Sequence, residues 1–102
     1  MKPMKYTKEH EKNLLEDVVY YLENGADKYF FMKPEGNDIN KCVAINLNRK
    51  SFLSNALFES QSEDENFRQA DSLESQWIKH CLEIKKYVSK EEFTKSIDYE
   101  IY

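Results

Sequence analysis

The stretch KYFFMKPEGNDINKCVAINL, residues 28–47, is the most informative part of this chain for its fold. It opens on a short aromatic run, 28–33, which is typical of a β-strand. Residues 34–38 then supply proline, glycine, asparagine and aspartate, the residues that favour a turn. Residues 39–47 alternate between apolar and polar side chains, the period of a strand with one apolar face. The stretch therefore predicts an antiparallel β-hairpin.

The segment before the hairpin has the spacing of a helix. Thr7 is a suitable N-cap, and Asn24-Gly25 is a suitable C-terminal stop. A helix is therefore predicted over about residues 8–24. Its apolar stripe recurs at i, i+1, i+4, i+5 and i+8 and consists of Leu14, Leu15, Val18, Val19 and Leu22.

Two further helices are indicated after the hairpin. Asp71 and Glu74 stand at capping-box spacing, and apolar residues of helical period follow them over about 72–88. Ser89 and Glu92 repeat the same spacing and open a last helix.

Three segments are less clearly defined. Residues 52–58 fit a helix or a third strand, and residues 59–72 are polar and predict a loop with Phe67 as a possible anchor. The tail, residues 96–102, continues the last helix if Phe93, Ile97 and Ile101 share one helical face. It forms a strand if its apolar and polar side chains alternate between two faces.

These elements predict one domain over residues 1–102, with residues 1–6 as a flexible N-terminus. The order is α-β-β-α/β-α-α. Because the predicted strands are adjacent in sequence, an α+β fold is expected, with an antiparallel hairpin or short sheet packed in two layers against three to four helices.

Composition narrows the class of protein. The chain is 40% hydrophobic, 14% aromatic and 33% charged, with a net charge of −4, which predicts a folded domain with a mixed-charge surface. No stretch approaches the length of a membrane span, and no signal peptide is recognisable, so a cytoplasmic location without membrane association is expected. Lysine far outnumbers arginine and asparagine is abundant, a bias typical of AT-rich bacterial accessory loci and phages.

Catalytic and ligand-binding motifs are not recognisable. The chain has two glycines, whereas phosphate-binding loops need several at fixed spacing. His10-Glu11 starts like a zinc-protease helix, but Leu14 stands where the second histidine is required. Cys81 falls on an apolar stripe and is interpreted as a buried hydrophobe. No catalytic, cofactor-binding or metal-binding residue is assigned, no cofactor is expected, and an enzyme would need a cysteine or acid pair assembled across the fold.

Lysine-rich segments make nucleic acid a second, disfavoured partner. Acidic residues are interspersed among the lysines, and arginine, the better residue for phosphate and base contacts, is nearly absent. The lysines concerned are Lys2, Lys5, Lys8, Lys12, Lys79, Lys85, Lys86, Lys90 and Lys95.

The aromatic residues favour a protein-binding module, such as a small regulator, inhibitor or adaptor. In a two-layer domain one sheet face is buried, so either Phe30 or the pair Tyr29 and Phe31 is predicted to point away from the core. The alternative is that helices cover both faces of the sheet and bury all three rings. Exposed aromatics beside polar residues mark protein interfaces. The candidate binding residues are Tyr20, Tyr21, Tyr29, Phe30 and Phe31, together with the acidic Glu63, Asp64 and Glu65.

A homodimer is a further expectation from the sequence. A two-stranded hairpin leaves open edges, which tend to pair with another strand. The hairpin itself or the alternating tail, residues 96–102, is predicted to form the dimer contact.

Overall fold

The structure is a computed structural model that describes residues 5–24, 26–34, 36, 42–56, 58 and 64–100, without the side chains of residues 11, 24, 64, 65 and 96–100. The described residues form five strands and three helices. In chain order these are α1 (Lys8–Lys12), β1 (Val19–Asn24), β2 (Asp27–Met32), β3 (Cys42–Asn46), β4 (Ser51–Ala56), β5 (Asp64–Gln69), α2 (Ser72–Ile84) and α3 (Lys90–Glu100).

The strands pair into one antiparallel sheet with the order β4-β3-β2-β1-β5. The predicted hairpin is confirmed: β2 pairs with β3 in antiparallel register, with Phe30 opposite Ile45 and Phe31 opposite Ala44. Of the segment left open between helix and strand, 52–58, residues 52–56 belong to β4, which pairs with β3, and residue 57 lies outside the described residues. The parts of the predicted hairpin at 35 and 37–41 lie outside the described residues.

The predicted helix over residues 8–24 is wrong beyond its first turns. Helix α1 ends at Lys12, and the chain then forms β1, which pairs with β2 on one side and β5 on the other. A central strand that is buried on both faces has a continuous apolar run, and such a run can mimic a helical stripe. Valine and tyrosine also favour a strand.

The predicted polar loop over 59–72 is also wrong in its second half. Residues 64–69 form β5, whose Phe67 lies opposite Leu22 and is buried. An edge strand tolerates charged residues because half of its backbone faces water, so its polar sequence conceals the strand. The expectation that Phe67 anchors this segment is confirmed.

Both faces of the sheet are covered, which differs from the two-layer arrangement predicted. On one face, which we call the helix face, α2 packs through Trp77, Ile78, Cys81 and Leu82. On the other, which we call the N-terminal face, the covering residues come from the segment before β1 and from the connection after β4. That cover includes Tyr6, 1% exposed although it falls in the stretch expected to be flexible, and its hydroxyl donates to the Phe58 carbonyl at 3.2 Å.

The core therefore consists of two clusters of described residues, separated by the sheet. The helix-face cluster contains Val19, Phe30, Ile45, Ala70, Trp77, Ile78, Cys81 and Leu82. The N-terminal-face cluster contains Tyr6, Leu14, Tyr20, Leu22, Phe31, Cys42, Ala44, Phe58 and Phe67.

The two C-terminal helices follow their capping signals. Asp71 and Glu74 form the predicted capping box, with Asp71 accepting from the Glu74 N–H at 2.8 Å. Helix α2 ends at Ile84, four residues earlier than predicted, because Lys85 adopts a left-handed conformation with φ 57°. At α3, the Ser89 hydroxyl accepts from the Glu92 N–H at 3.2 Å.

The fold class predicted from sequence, a hairpin packed against three to four helices, is thus corrected to a mostly β structure. The described residues form a five-stranded antiparallel sheet with three short helices. The correction also changes the expected dimer contacts. Strands β2 and β3 each have neighbours on both sides, and the tail is helical to residue 100, so neither offers the open strand edge that was expected.

Candidate functional site

A groove lies where the helix face of the sheet ends beside α2. Its volume is about 570 Å³. The floor is apolar and comes from the end of β2, the start of β3 and the second half of α2, while charged side chains line the rim. The lining residues are Asp17, Met32, Pro34, Val43, Lys79, Leu82 and Glu83.

Helix periodicity explains how α2 contributes both floor and rim. Lys79 and Glu83 are four residues apart and lie on one side of the helix, where both are exposed. Leu82, between them in the sequence, turns towards the sheet and is buried. The helix thus presents one apolar contact to the groove and a cation and an anion to its rim.

Asp17 occupies the opposite side of the groove in an unusual backbone conformation. Its φ is 61°, in the left-handed region that non-glycine residues rarely adopt. The conformation is held by a hydrogen bond from the Asp17 N–H to the Lys33 carbonyl at 2.9 Å, and Glu16 forms a parallel bridge with Lys33. These contacts fix the position of Asp17 at the groove.

The groove combines the features expected of a binding site. Ligand sites are typically concave, have a volume of roughly 300–1,000 Å³ and combine an apolar lining with a few polar groups. Met32 and Val43 are half-buried, so their apolar surface is accessible from the groove. An apolar side chain of a partner can be buried there while its flanking polar groups meet the charged rim.

The residues proposed from sequence as a binding surface have a different location. Phe30 is 2% exposed and Phe31 is 0% exposed, and Tyr20 is also buried. The prediction that one side of the aromatic run faces away from the core is therefore wrong. The physical reason is that α2 covers Phe30, while Tyr6 and Phe58 cover Phe31.

Tyr29 and Tyr21 remain partly accessible. The Tyr29 ring meets Phe58 edge-on at 5.2 Å, and burial raises the pKa of its phenol. Tyr21 donates a hydrogen bond to Glu23 at 2.7 Å, and the Arg68 guanidinium lies 4.7 Å from its ring centroid. Burial, followed by the hydrogen bond to Glu23, raises the pKa of the Tyr21 phenol. Their role in binding stays a prediction.

The acidic triplet divides between described and undescribed residues. Glu63 lies outside the described residues. Asp64 and Glu65 are the first two residues of β5, where the structure describes their backbone but not their side chains. Its role as a docking element also stays a prediction. The structure thus places Asp64 and Glu65 at the start of an edge strand, where a loop was expected.

The cysteines and histidines take part in packing and capping. Cys42 is buried in the N-terminal-face cluster and Cys81 in the helix-face cluster, so the sheet lies between them. Burial raises the pKa of the Cys81 thiol, which disfavours the reactive thiolate. His10 Nδ1 accepts from the Thr7 N–H at 3.1 Å, and the His80 ring lies 5.4 Å from that of Phe93.

A polar network joins β5 to the start of α2. Arg68 donates two hydrogen bonds to the Glu74 carboxylate, at 2.6 and 2.9 Å, and Glu74 also accepts from the Asp71 N–H. The bonds from Arg68 lower the pKa of Glu74, and bonds from Asn66 and Tyr21 lower that of Glu23. The network fixes α2 against the sheet and so positions the helix that lines the groove.

This network predicts a specific dependence of stability on pH. A carboxylate whose pKa is lowered in the folded state stabilises it fully above the unfolded pKa, near 4.5, and loses that contribution as the pH falls through the folded value. We expect Glu74→Gln to cost about 1 kcal/mol at about pH 7 and much less at about pH 3, measured by urea unfolding. Glu83→Gln, an exposed carboxylate on the same helix, is the control. An equal loss for Glu74→Gln at both pH values would contradict the prediction.

Among the described residues, no three His, Cys, Asp or Glu side chains come together to hold a metal ion. Within the same part of the chain, no helix is long and apolar enough to cross a membrane. Comparison with protein-family models, curated proteins and solved structures found no match.

Sequence reasoning missed the groove almost entirely. In the sequence Lys79 stands out only as one of many lysines, while Met32, Val43 and Leu82 fall within predicted strands and a predicted helix with no sign of a binding role. The one available signal was the pair Lys79 and Glu83, which share one side of the predicted helix next to the apolar Leu82. The sequence carries no signal that places Asp17 at the groove, because its position depends on where α1 ends and β1 begins.

Proposed function

We propose that this protein is a non-enzymatic protein-binding module that docks a segment of its partner in the groove beside α2. The observation that carries the proposal is the apolar floor of Met32, Val43 and Leu82 within a charged rim. Protein interfaces combine these features, an apolar centre that excludes water and a polar edge.

The size of the groove indicates what kind of contact it makes. A volume of about 570 Å³ accommodates a few side chains, which suits a short peptide segment or a protruding loop. A buried apolar residue at the centre of such a contact supplies most of the affinity. The partner is therefore a protein that offers an exposed apolar residue with charged neighbours.

The rim sets orientation and selectivity. Asp17 and Glu83 carry negative charge and Lys79 carries positive charge, so the rim presents both signs. Opposite charges on the partner would be drawn to this arrangement, and like charges in the same places would be repelled. A partner segment with charges in the wrong order is expected to bind less well.

A charge exchange on the rim tests the proposal. The double variant Lys79→Glu/Glu83→Lys keeps the net charge of −4 and the buried floor but reverses two rim charges. Affinity capture from cells that make the protein, with quantitative mass spectrometry, should show a partner whose recovery falls with this variant. We expect its affinity to drop by about tenfold or more, equivalent to about 1.4 kcal/mol, by calorimetry with the purified partner.

The matched control is Lys86→Glu/Glu91→Lys, which makes the same exchange at exposed positions that do not line the groove. It should leave recovery unchanged. Equal recovery of every captured protein with both double variants would contradict docking at the groove. Recovery of nucleic acid, lost as salt is raised, would instead favour the lysine-rich surface as the functional one.

A further inference from the structure

The outer side of β4 is an open strand edge. In the order β4-β3-β2-β1-β5, β4 and β5 are the outer strands, and among the described residues no strand pairs with the far side of β4. In an antiparallel strand, the backbone N–H and C=O groups of successive residues point alternately to the two sides of the strand. As far as the described residues go, the outward groups of β4 are therefore available to a further strand.

The two edges of the sheet differ in charge. Strand β4 has the sequence SFLSNA, without a charged residue or proline. Strand β5 has the sequence DENFRQ, in which three of six residues are charged. Proteins commonly protect exposed edges from pairing with charged residues or proline. By this criterion β5 is protected and the first half of β4 is not.

The first half of β4 is held in a regular, pairing-competent conformation. Ser51, Phe52 and Leu53 lie in register opposite residues 46, 45 and 44 of β3. The turn before them is fixed by Asn46, whose Oδ1 accepts from the backbone N–H groups of residues 48 and 49 at 2.9 and 3.0 Å. The register then shifts, and Asn55 has φ 54°, so an irregularity ends the regular stretch.

Side chains at this edge offer apolar area on both faces. Phe52 packs against the helix-face cluster and Leu53 against the N-terminal-face cluster, and each is only half-buried. Phe52 and Leu53 are thus the outermost residues of the two clusters at this edge of the sheet. A strand added along β4 would cover their exposed parts through cross-strand contacts.

We propose that the occupant of this edge is β4 of a second copy, paired antiparallel about a two-fold axis. Arg49 and Lys50, both exposed, immediately precede β4. Antiparallel pairing over Ser51–Leu53 places Lys50 of the two copies four strand residues apart, roughly 13 Å, which exceeds the Debye length of about 8 Å at physiological salt. Parallel pairing would place them side by side.

The alternative of joining β4 to β5 of another copy is less favourable. It would bring the charged side chains of β5 against Phe52 and Leu53. It is also a head-to-tail contact, which continues into an open chain of molecules, whereas the two-fold contact closes. The contact proposed is small, so the dimer is of the weak, transient class. It is independent of the groove.

Sedimentation over a range of protein concentrations tests the inference. We expect the mass to rise from 12.2 kDa towards twice that value as concentration increases. Ser54→Lys places a charge at an exposed position of β4 and should keep the protein monomeric. The control Gln69→Lys makes the same kind of change at an exposed position of β5 and should leave dimerisation unchanged.

Hydrogen exchange of the wild-type protein gives a test that needs no variant. Amides within Ser51–Leu53 should gain protection at high concentration, while those of β5 should not. A mass that stays at 12.2 kDa at every concentration would overturn the inference. So would a dimer that is lost in Gln69→Lys but kept in Ser54→Lys, or a dimer without added protection in β4.

Discussion

Replacing Phe31 with alanine is expected to remove about 3–5 kcal/mol from the free energy of unfolding, since a fully buried ring is lost and a cavity remains. Phe31 is 0% exposed and stacks on Phe58, with ring centroids 4.4 Å apart. Its ring also lies near those of Tyr20 and Tyr6, at 5.8 and 6.2 Å. Small domains have about 5–15 kcal/mol of stability in total, so the variant should be barely folded at room temperature. Urea unfolding followed by circular dichroism measures the change.

Two further variants show whether the loss comes from packing. Phe31→Leu keeps much of the apolar volume and should cost less than alanine. Leu15→Ala removes a side chain that is 60% exposed and should change stability by less than about 0.5 kcal/mol. If Phe31→Ala cost no more than Leu15→Ala, the N-terminal face would not be covered as described.

The second large effect is expected at Trp77, at the centre of the helix face. Its ring meets Phe30 edge-on at 5.7 Å, and its Nε1–H donates to the Val88 carbonyl at 2.7 Å. Trp77→Ala should cost about 3–5 kcal/mol, because α2 loses its ring contact with Phe30 and the segment leading to α3 loses its hydrogen bond. Far-ultraviolet circular dichroism during urea unfolding measures this loss.

Trp77→Phe separates the two contributions. Phenylalanine retains an aromatic ring but cannot donate to Val88, so it should cost about 1–3 kcal/mol. A cost for phenylalanine equal to that for alanine would mean that the ring itself contributes little. Trp77 is the single tryptophan of the chain, so its fluorescence reports on the helix face in every other variant. In the Phe31→Ala variant, the tryptophan fluorescence should change at the same urea concentration as the circular dichroism signal if the two faces unfold together.

Local signals in the sequence predicted the elements that depend on local interactions. The capping box of Asp71 and Glu74 places the start of α2 correctly, since it needs only residues three apart. The turn-forming residues after Lys33 and the alternation that follows predict the hairpin, because a turn and a period of two are local properties. The burial of Cys81 also follows from its place on an apolar stripe.

The groove could not be predicted in this way, because its residues meet only in three dimensions. Met32 and Val43 are cross-strand partners, so the hairpin brings them together. Leu82 joins them only because α2 crosses the helix face, and Asp17 only because β1 inserts between β2 and β5. No spacing in the sequence encodes the distance between a helix and the end of a sheet.

The sequence by itself determined that the chain has an aromatic hairpin, a capped helix from residue 72 and a mixed-charge surface. The tertiary structure alone decided that residues 19–24 form a strand, because their apolar run fits either a buried helix or a strand with both faces covered. Pairing with β2 and β5 resolves this choice by satisfying the backbone hydrogen bonds on both sides of the strand. The same pairing turns the polar segment 64–69 into an edge strand, since Phe67 is buried opposite Leu22 once β1 is in place.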